Sequence, residues 1–418
     1  MIDNNEIKNK ADYCLSCKSK PCQHGCPLNN DTMGFIKYLK EGKLQEAYEL
    51  LCETTVLQSI CGRICPHDKQ CQGNCVRGIS QKQVDIGNME AYIGDLALKN
   101  NWNIPSSSNK KNKKIAVVGG GPTGLTCAAK LAREGYKVTI YEKYNVLGGI
   151  LNHGIPDFRL DKTLLQNVIK KILDLGIEIK LNCELGKEYT LEELEKEYDA
   201  IYLGFGANVS SKMKIPGEEL NGVYGGNELL EKNAHPNYEG KTVVVSGCGN
   251  VAMDTARTIK RMGAKKVIIV YRRSEAEMPA EKIEFEEAKE EGVEFLFQNN
   301  IIAIYGNGQV EKIECVKTEL VQKEGETRKS PVNIEGSNYY IDADYIIMAV
   351  GSKPDEKLLE KLGLELNSRG RIKIDQNSMT SKNGIFAGGD LVGSKATVAW
   401  AARSGRDAAE NIINYLEK

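Results

Sequence analysis

"KIAVVGGGPTGLTCAAKLAREGYKVTIYEK", residues 114–143, alternates in a way that few folds accommodate. An apolar run ends at Val118. Gly119-x-Gly121-x-x-Gly124 follows, then a helical stretch closed by Gly135, then a second apolar run that stops at Glu142. Strand, glycine turn, helix and strand in that order make a βαβ unit. A G-x-G-x-x-G match carries meaning only in this setting. The glycines allow the tight turn and let the backbone approach a pyrophosphate, whose charge is met by the unpaired N–H groups and dipole of the helix N-terminus. An acid at the end of the second strand accepts hydrogen bonds from an adenosine ribose. Glu142 therefore suits FAD or NAD and disfavours a 2′-phosphate.

The same order recurs further along. "KTVVVSGCG" (241–249), "VAMDTARTIKRMG" (251–263) and "KKVIIVYRR" (265–273) repeat it, and Gly135 and Gly263 each lie eleven residues past Gly124 and Ala252. The second turn reads Gly247-x-Gly249-x-x-Ala252, and its closing strand ends in Arg272-Arg273 where the first ends in Glu142. Two guanidiniums at that place can pair with a 2′-phosphate, which favours NADP(H) over NAD(H). The blander reading is a solvated basic strand end. A third glycine-rich stretch, "GIFAGGDLVG" (384–393), follows a predicted strand and precedes the helical "ATVAWAARSGRDAAENIINYLEK" (396–418), which places Gly389 and Asp390 at a strand end. Taken alone it is a turn and a cap.

Toward the N-terminus the character changes. "NIPSSSNKKNKK" (103–114) is nearly devoid of apolar residues and reads as a boundary. Before it, helical stretches such as "TMGFIKYLKEGKLQEAYELL" (32–51), apolar at Phe35, Ile36, Leu39, Leu44, Ala47 and Leu50, alternate with cysteine-bearing loops. Nine of the thirteen cysteines precede residue 76, and Cys127, Cys183, Cys248 and Cys315 stand singly. The N-terminal segment is therefore a module of its own.

Lys plus Arg number 56 and Asp plus Glu 57, so neither a nucleic-acid-binding face nor an acidic tail is expected. The polar start "MIDNNEIKNK" lacks an apolar export region and no run approaches a membrane span, so a cytoplasmic protein with no membrane partner is expected. Cytoplasmic thiols stay reduced, which favours metal ligands over disulfides. The spacings are Cys14-x2-Cys17-x4-Cys22-x3-Cys26-Pro and Cys61-x3-Cys65-Pro-x4-Cys71-x3-Cys75. Zinc commonly takes two separated pairs, whereas a tight run of four ending in Cys-Pro is close to the bacterial ferredoxin pattern.

The ordered set "VVGGGPTGL", "GGILNHGIPDFRL", "SGCGNVAMDTAR", "YRRSEAEMPA", "IIMAVGSKP" and "GIFAGGDLVGSKATV", with both cysteine segments, resembles the glutamate synthase small-subunit family of iron–sulfur flavoproteins. That family includes the large subunit of NADH-dependent ferredoxin-NADP oxidoreductase and the N-terminal part of dihydropyrimidine dehydrogenase. The resemblance spans nearly the whole chain and implies an α/β protein: a helical N-terminal double-cluster domain followed by two Rossmann-like nucleotide-binding domains. The expected limits are a helical iron–sulfur domain at 1–110, an FAD domain at 111–235 that resumes over 346–418, and an inserted NAD(P) domain at 236–345.

By the same resemblance FAD is held by Gly119, Gly121, Gly124 and Glu142, helped by Gly148, Gly149, Arg159 of "GIPDFRL", Gly389 and Asp390, the last on the ribityl chain. NADP(H) falls to Gly247, Gly249, Asn250, Arg272 and Arg273. Two [4Fe-4S] clusters are implied, one on Cys14, Cys17, Cys22 and Cys75, the other on Cys26, Cys65, Cys71 and a non-cysteine ligand at Glu90 of "IGNMEAY". Spacing alone does not choose between Glu90 and Cys61. The expected activity passes electrons from NADPH through FAD and the clusters to a partner. That partner is a larger redox subunit, such as a glutamate synthase large subunit or an analogue, or a ferredoxin; a ferredoxin-NADP transhydrogenase or dihydropyrimidine dehydrogenase subunit is the alternative. Flavin chemistry of this kind calls for no acid–base pair, and none is named. A stand-alone disulfide reductase would need a redox Cys-x-x-Cys near the flavin, which the isolated later cysteines do not supply. A non-catalytic nucleotide sensor has no residue to recommend it.

Overall fold

Each glycine-turn unit builds its own five-stranded parallel sheet in the computed structural model, which describes residues 4–322 and 328–418. In the first sheet the strands run in the order Ile385–Ala387, Ala200–Leu203, Lys114–Val118, Lys137–Tyr141, Glu178–Lys180. In the second the order is Val223–Gly225, Tyr345–Met348, Thr242–Ser246, Lys266–Tyr271, Glu294–Phe297. The two share one plan. In each, the strand that feeds the glycine turn sits at the centre, so its residues are covered on both faces and read as a continuous apolar run: Ile115 to Val118 in one, Val243 to Val245 in the other, all buried.

The chain divides into two compact units, one comprising 1–152, 157–207 and 354–418, the other 153–156 and 208–353. The first holds the N-terminal module together with the first sheet. Its glycine-turn helix, Pro122–Arg133, packs against the long C-terminal helix Val398–Leu416 at very close range: a Cβ on Gly405 would lie 2.0 Å from the Thr123 carbonyl oxygen. The N-terminal module is fastened to this helix pair through guanidiniums. Arg403 Nη1 donates to the Pro27 carbonyl at 3.1 Å, Arg406 Nη1 to that of Leu28 at 2.8 Å, and Arg133 to that of Cys52.

The second unit adds an antiparallel sheet, Asn299–Tyr305, Lys312–Val321, Ser330–Asn333 and Tyr339–Asp342, to its parallel one. The stretch "DYIIMAVG" (344–351), expected to reopen the FAD domain, instead supplies the strand Tyr345–Met348 to the second sheet, paired with Thr242–Ser246 and Val223–Gly225. Both expected limits, 236 and 345, therefore lie inside the second unit. The pairing decides it: Ile346 lies opposite Val244 on one side and Val223 on the other, while the full burial of Ile346 and Ile347 would suit the interior of either parallel sheet.

The stretch 32–51 is two helices, Thr32–Lys40 and Leu44–Cys52, parted at Gly42, whose φ of +73° breaks the helix. Among the described residues no helix is long and apolar enough to cross a membrane.

Candidate nucleotide and iron–sulfur sites

The first glycine turn is a cradle made of backbone. Gly119 has φ +101°, and a Cβ on Gly124 would sit 1.9 Å from the Gly119 carbonyl oxygen, so both positions exclude any side chain. Gly121 faces open space, where an added Cβ would meet nothing nearer than the Cα of Gly149 at 3.8 Å. Gly148 and Gly149 come to this turn from beyond the second strand, with Gly148 N–H donating to the Gly120 carbonyl at 2.9 Å. Glu142 is buried beside them. Its Oε2 accepts from Gly120 N–H at 2.8 Å and its Oε1 from Tyr144 N–H at 3.1 Å. Those bonds fix the carboxylate at the edge of the cradle.

Asp390 occupies a short 3-10 turn after the strand Ile385–Ala387, beside Gly389, whose N–H donates to Ser404 Oγ at 2.9 Å. Its Oδ1 is buried and has no hydrogen-bond partner among the described residues. Burial pushes its carboxyl above the usual range, against the pull of Arg371. A buried acceptor without a donor is costly, so this atom fits a ligand hydroxyl such as that of a ribityl chain. Arg159 is half-buried ahead of the helix Lys162–Leu173.

The second turn repeats the cradle. Gly247 has φ +112°, its Cβ would collide with the Ala349 carbonyl oxygen at 2.3 Å, and Gly249 faces open space up to Pro279 at 3.8 Å. Asn250 opens the helix Asn250–Arg261, and its buried Oδ1 has no hydrogen-bond partner among the described residues. At the end of the closing strand Arg272 is exposed, while Arg273 Nη1 donates to the Lys329 carbonyl at 2.7 Å.

The cysteines fall into two groups. Cys14, Cys17, Cys22 and Cys75 are half-buried and line one cavity, closed by Leu15, Pro21, Met33, Ile36 and Val84. Burial pushes the Cys22 thiol up, with Cys14 and Cys75 adding to the shift.

The other group surrounds Glu90. Burial, then the Glu90 carboxylate, lifts Cys26 to about 12 and raises Cys71. Cys65 is raised by a side-chain hydrogen bond with Cys61, then by burial, then by the charges of Cys61, Glu90 and Cys71. Glu90 itself is lifted by burial to about 8, against a bond from Asn30 Nδ2 to its Oε1 at 3.2 Å. It reaches these thiols because its helix, Ile86–Lys99, packs on Gln58–Ile64 through glycine: a Cβ on Gly62 would lie 2.5 Å from Ala91 N.

Among the described residues no three of His, Cys, Asp or Glu converge as a single metal ion requires. A ring of thiols around a cavity matches a cubane, whose irons each take one thiolate at a corner. Buried groups that are uncharged without metal and ionise on binding iron fit the same purpose. Asn30, buried and held by Thr54 Oγ1 at 2.5 Å through its own Oδ1, was not legible in sequence, since nothing local links it to Glu90 sixty residues away. Outside the N-terminal module Cys127, Cys248 and Cys315 are single buried thiols and Cys183 is half-buried.

Residues 108–405 match the pyridine nucleotide-disulphide oxidoreductase family, and residues 1–102 match the dihydropyrimidine dehydrogenase domain II family, 4Fe-4S cluster. The chain is 39% identical to the glutamate synthase (NADPH) small chain of Escherichia coli K12, over 99% of this chain and 92% of that one. It is 36% identical to the glutamate synthase (NADPH) small chain of Halomonas elongata, over 98% and 90%. Mycobacterium tuberculosis FprA in complex with NADPH shares the fold over 73% of this chain and 85% of its own, with a TM-score of 0.67 at 20% identity. The chain belongs to the glutamate synthase small-chain family and is an NADPH-dependent FAD and iron–sulfur oxidoreductase.

Proposed function

We propose that this chain is an electron-input subunit: it takes electrons from NADPH and delivers them, through FAD and two [4Fe-4S] clusters, to a larger redox subunit of the glutamate synthase large-subunit type or to a ferredoxin. The observation that carries the reading is the ring of Cys14, Cys17, Cys22 and Cys75 around one cavity, in the same compact unit as the FAD-type glycine turn. FAD, when bound, supplies the conversion of a two-electron hydride into single electrons, and iron–sulfur clusters carry single electrons onward.

The chain's own residues bind, orient and desolvate. Gly119, Gly121 and Gly124 open the backbone to a pyrophosphate, Glu142 accepts from a ribose, and Asp390 Oδ1 takes a hydroxyl it otherwise lacks. Gly148, Gly149, Gly389 and Arg159 complete that site. Gly247, Gly249 and Asn250 would do the same in the second unit for NADPH, and Arg272 and Arg273, at the end of its closing strand, would pair with the 2′-phosphate. Cys14, Cys17, Cys22 and Cys75 hold one cluster; Cys26, Cys65, Cys71 and Glu90 hold the other. Cys61 is the side-chain hydrogen-bond partner of Cys65. Because burial raises the thiols of Cys22, Cys26 and Cys71, assembly of the clusters must release their protons, so reconstitution proceeds faster as pH rises. Reduced thiols of this kind belong in the cytoplasm.

The test is anaerobic mixing of the reconstituted protein with NADPH, followed at the flavin band, with iron and acid-labile sulfide measured on the same sample. Rapid bleaching with about eight irons and eight sulfides per flavin is expected for two cubanes. Zinc without sulfide, or a flavin that NADPH does not bleach, contradicts the reading.

A further inference from the structure

We propose that Arg328, which lies far from the second glycine turn in sequence, is a third guanidinium of the 2′-phosphate end of that site and shares with Arg272 and Arg273 the selection of NADPH over NADH. The proposal rests on the NADP(H) reading of the second unit and adds a residue to it. Lys312–Val321 and Ser330–Asn333 pair antiparallel with Val321 opposite Ser330, and this hairpin is pinned to the end of the nucleotide strand. Thr318 Oγ1 donates to the Arg272 carbonyl at 2.9 Å, and Thr318 N–H to that of Gln298 at 2.8 Å. The register therefore carries the residues just before Ser330 past the strand end where Arg272 and Arg273 stand.

There Arg328 Nη2 donates to the Glu277 carbonyl at 2.7 Å and to the Tyr271 hydroxyl at 3.4 Å, while Arg273 Nη1 donates to the Lys329 carbonyl at 2.7 Å. Two guanidiniums well separated in sequence thus come to one place, Arg328 on the Tyr271 hydroxyl and Arg273 on the carbonyl of the neighbouring Lys329. Their acceptors are informative. Among the described residues Arg328 is bonded only to neutral oxygens, so its charge is not cancelled by a carboxylate partner. The nearby Glu277 carboxylate is turned inward to cap its own short helix, accepting from Ser274 N–H at 3.2 Å and from the Ser274 hydroxyl. Glu275 is exposed beside it. Against those two acids stand Arg272, Arg273, Arg328 and Lys329.

A 2′-phosphate carries up to two negative charges near neutral pH and three acceptor oxygens, and guanidiniums with free N–H groups are its natural partners. A merely structural clamp would not distinguish nucleotides. Arg328 as a phosphate contact must.

The experiment measures kcat/KM for NADPH and for NADH with ferricyanide as acceptor, in the full flavin-loaded protein and its Arg328→Ala, Arg328→Lys and Arg272→Ala variants. Calorimetric binding of 2′,5′-ADP and of 5′-AMP is measured alongside. Loss of one charge-assisted contact lowers the NADPH-to-NADH ratio about tenfold in Arg328→Ala, with weaker 2′,5′-ADP binding and partial recovery in Arg328→Lys. An unchanged ratio in Arg328→Ala while Arg272→Ala lowers it overturns the role of Arg328 alone. Unchanged ratios in both overturn the NADP(H) reading of the site and this proposal with it.

Discussion

Asp390 and Glu90 show how differently two buried carboxyls announce themselves. Asp390 stands in a glycine-rich turn that a sequence reader can find, and its orphaned Oδ1 is what the fold adds. Replacing it by Ala removes the acceptor a bound hydroxyl needs, so flavin affinity is expected to fall about tenfold, as fluorescence titration of the flavin-depleted protein would measure. An unchanged affinity removes Asp390 from the site. Glu90 is harder to read, because spacing offers Cys61 as readily. Its carboxylate acts on Cys26, Cys65 and Cys71 alike, whereas Cys61 acts on Cys26 and Cys65 and is hydrogen-bonded to Cys65. Glu90→Ala should therefore cost one cluster, halving iron and sulfide per flavin, while Cys61→Ala keeps both. The reverse result makes Cys61 the eighth ligand. The glycines were the most legible residues of all, because a positive φ or a backbone collision leaves no alternative at Gly119, Gly124 and Gly247. Asn30 and Arg328 were invisible, since their meaning lies in contacts with residues distant in sequence.

Among elements, the strands and helices of both βαβ units follow directly from their apolar periodicity. What periodicity does not say is which sheet a strand joins. Tyr345–Met348 reads as a buried strand in either place, and only its pairing with Thr242–Ser246 assigns it to the second sheet. Gly42 likewise looks harmless within a helical pattern until its φ is seen. The packing of helices makes two firm expectations. Gly405→Ala forces the C-terminal helix away from the Thr123 carbonyl, an overpacking that should destabilise the protein by about 1–3 kcal/mol in denaturant unfolding followed at the first unit. In the second unit Arg257, 3% exposed, is held by Glu284, Glu287 and Glu291 between the helices Asn250–Arg261 and Lys282–Glu290. Arg257→Ala leaves the buried Glu284 without its partner and should cost about 3–5 kcal/mol, whereas an apolar replacement of both residues should cost far less. Equal losses in the single and double variants contradict that account.

At the scale of the molecule, composition and two repeated motifs disclosed two dinucleotide-binding units with a cysteine module ahead of them, the family resemblance implied an oxidoreductase, and the fold assembles that module with the first sheet in one compact unit. The N-terminal loops have little regular structure of their own and gather around thiols, so iron removal should loosen them selectively. Hydrogen exchange is expected to quicken over 14–27 and 65–80 when the clusters are removed and to change little over 242–271; uniform change would mean the clusters are not what organises the module. The most direct test of electron transfer through this chain is an anaerobic reductive titration with absorbance and electron paramagnetic resonance read together. The account predicts uptake of about four electrons per chain, two at the flavin and one at each cubane, with iron–sulfur signals appearing in the reduced protein. Uptake of about two electrons, confined to the flavin and with no iron–sulfur signal, would contradict it.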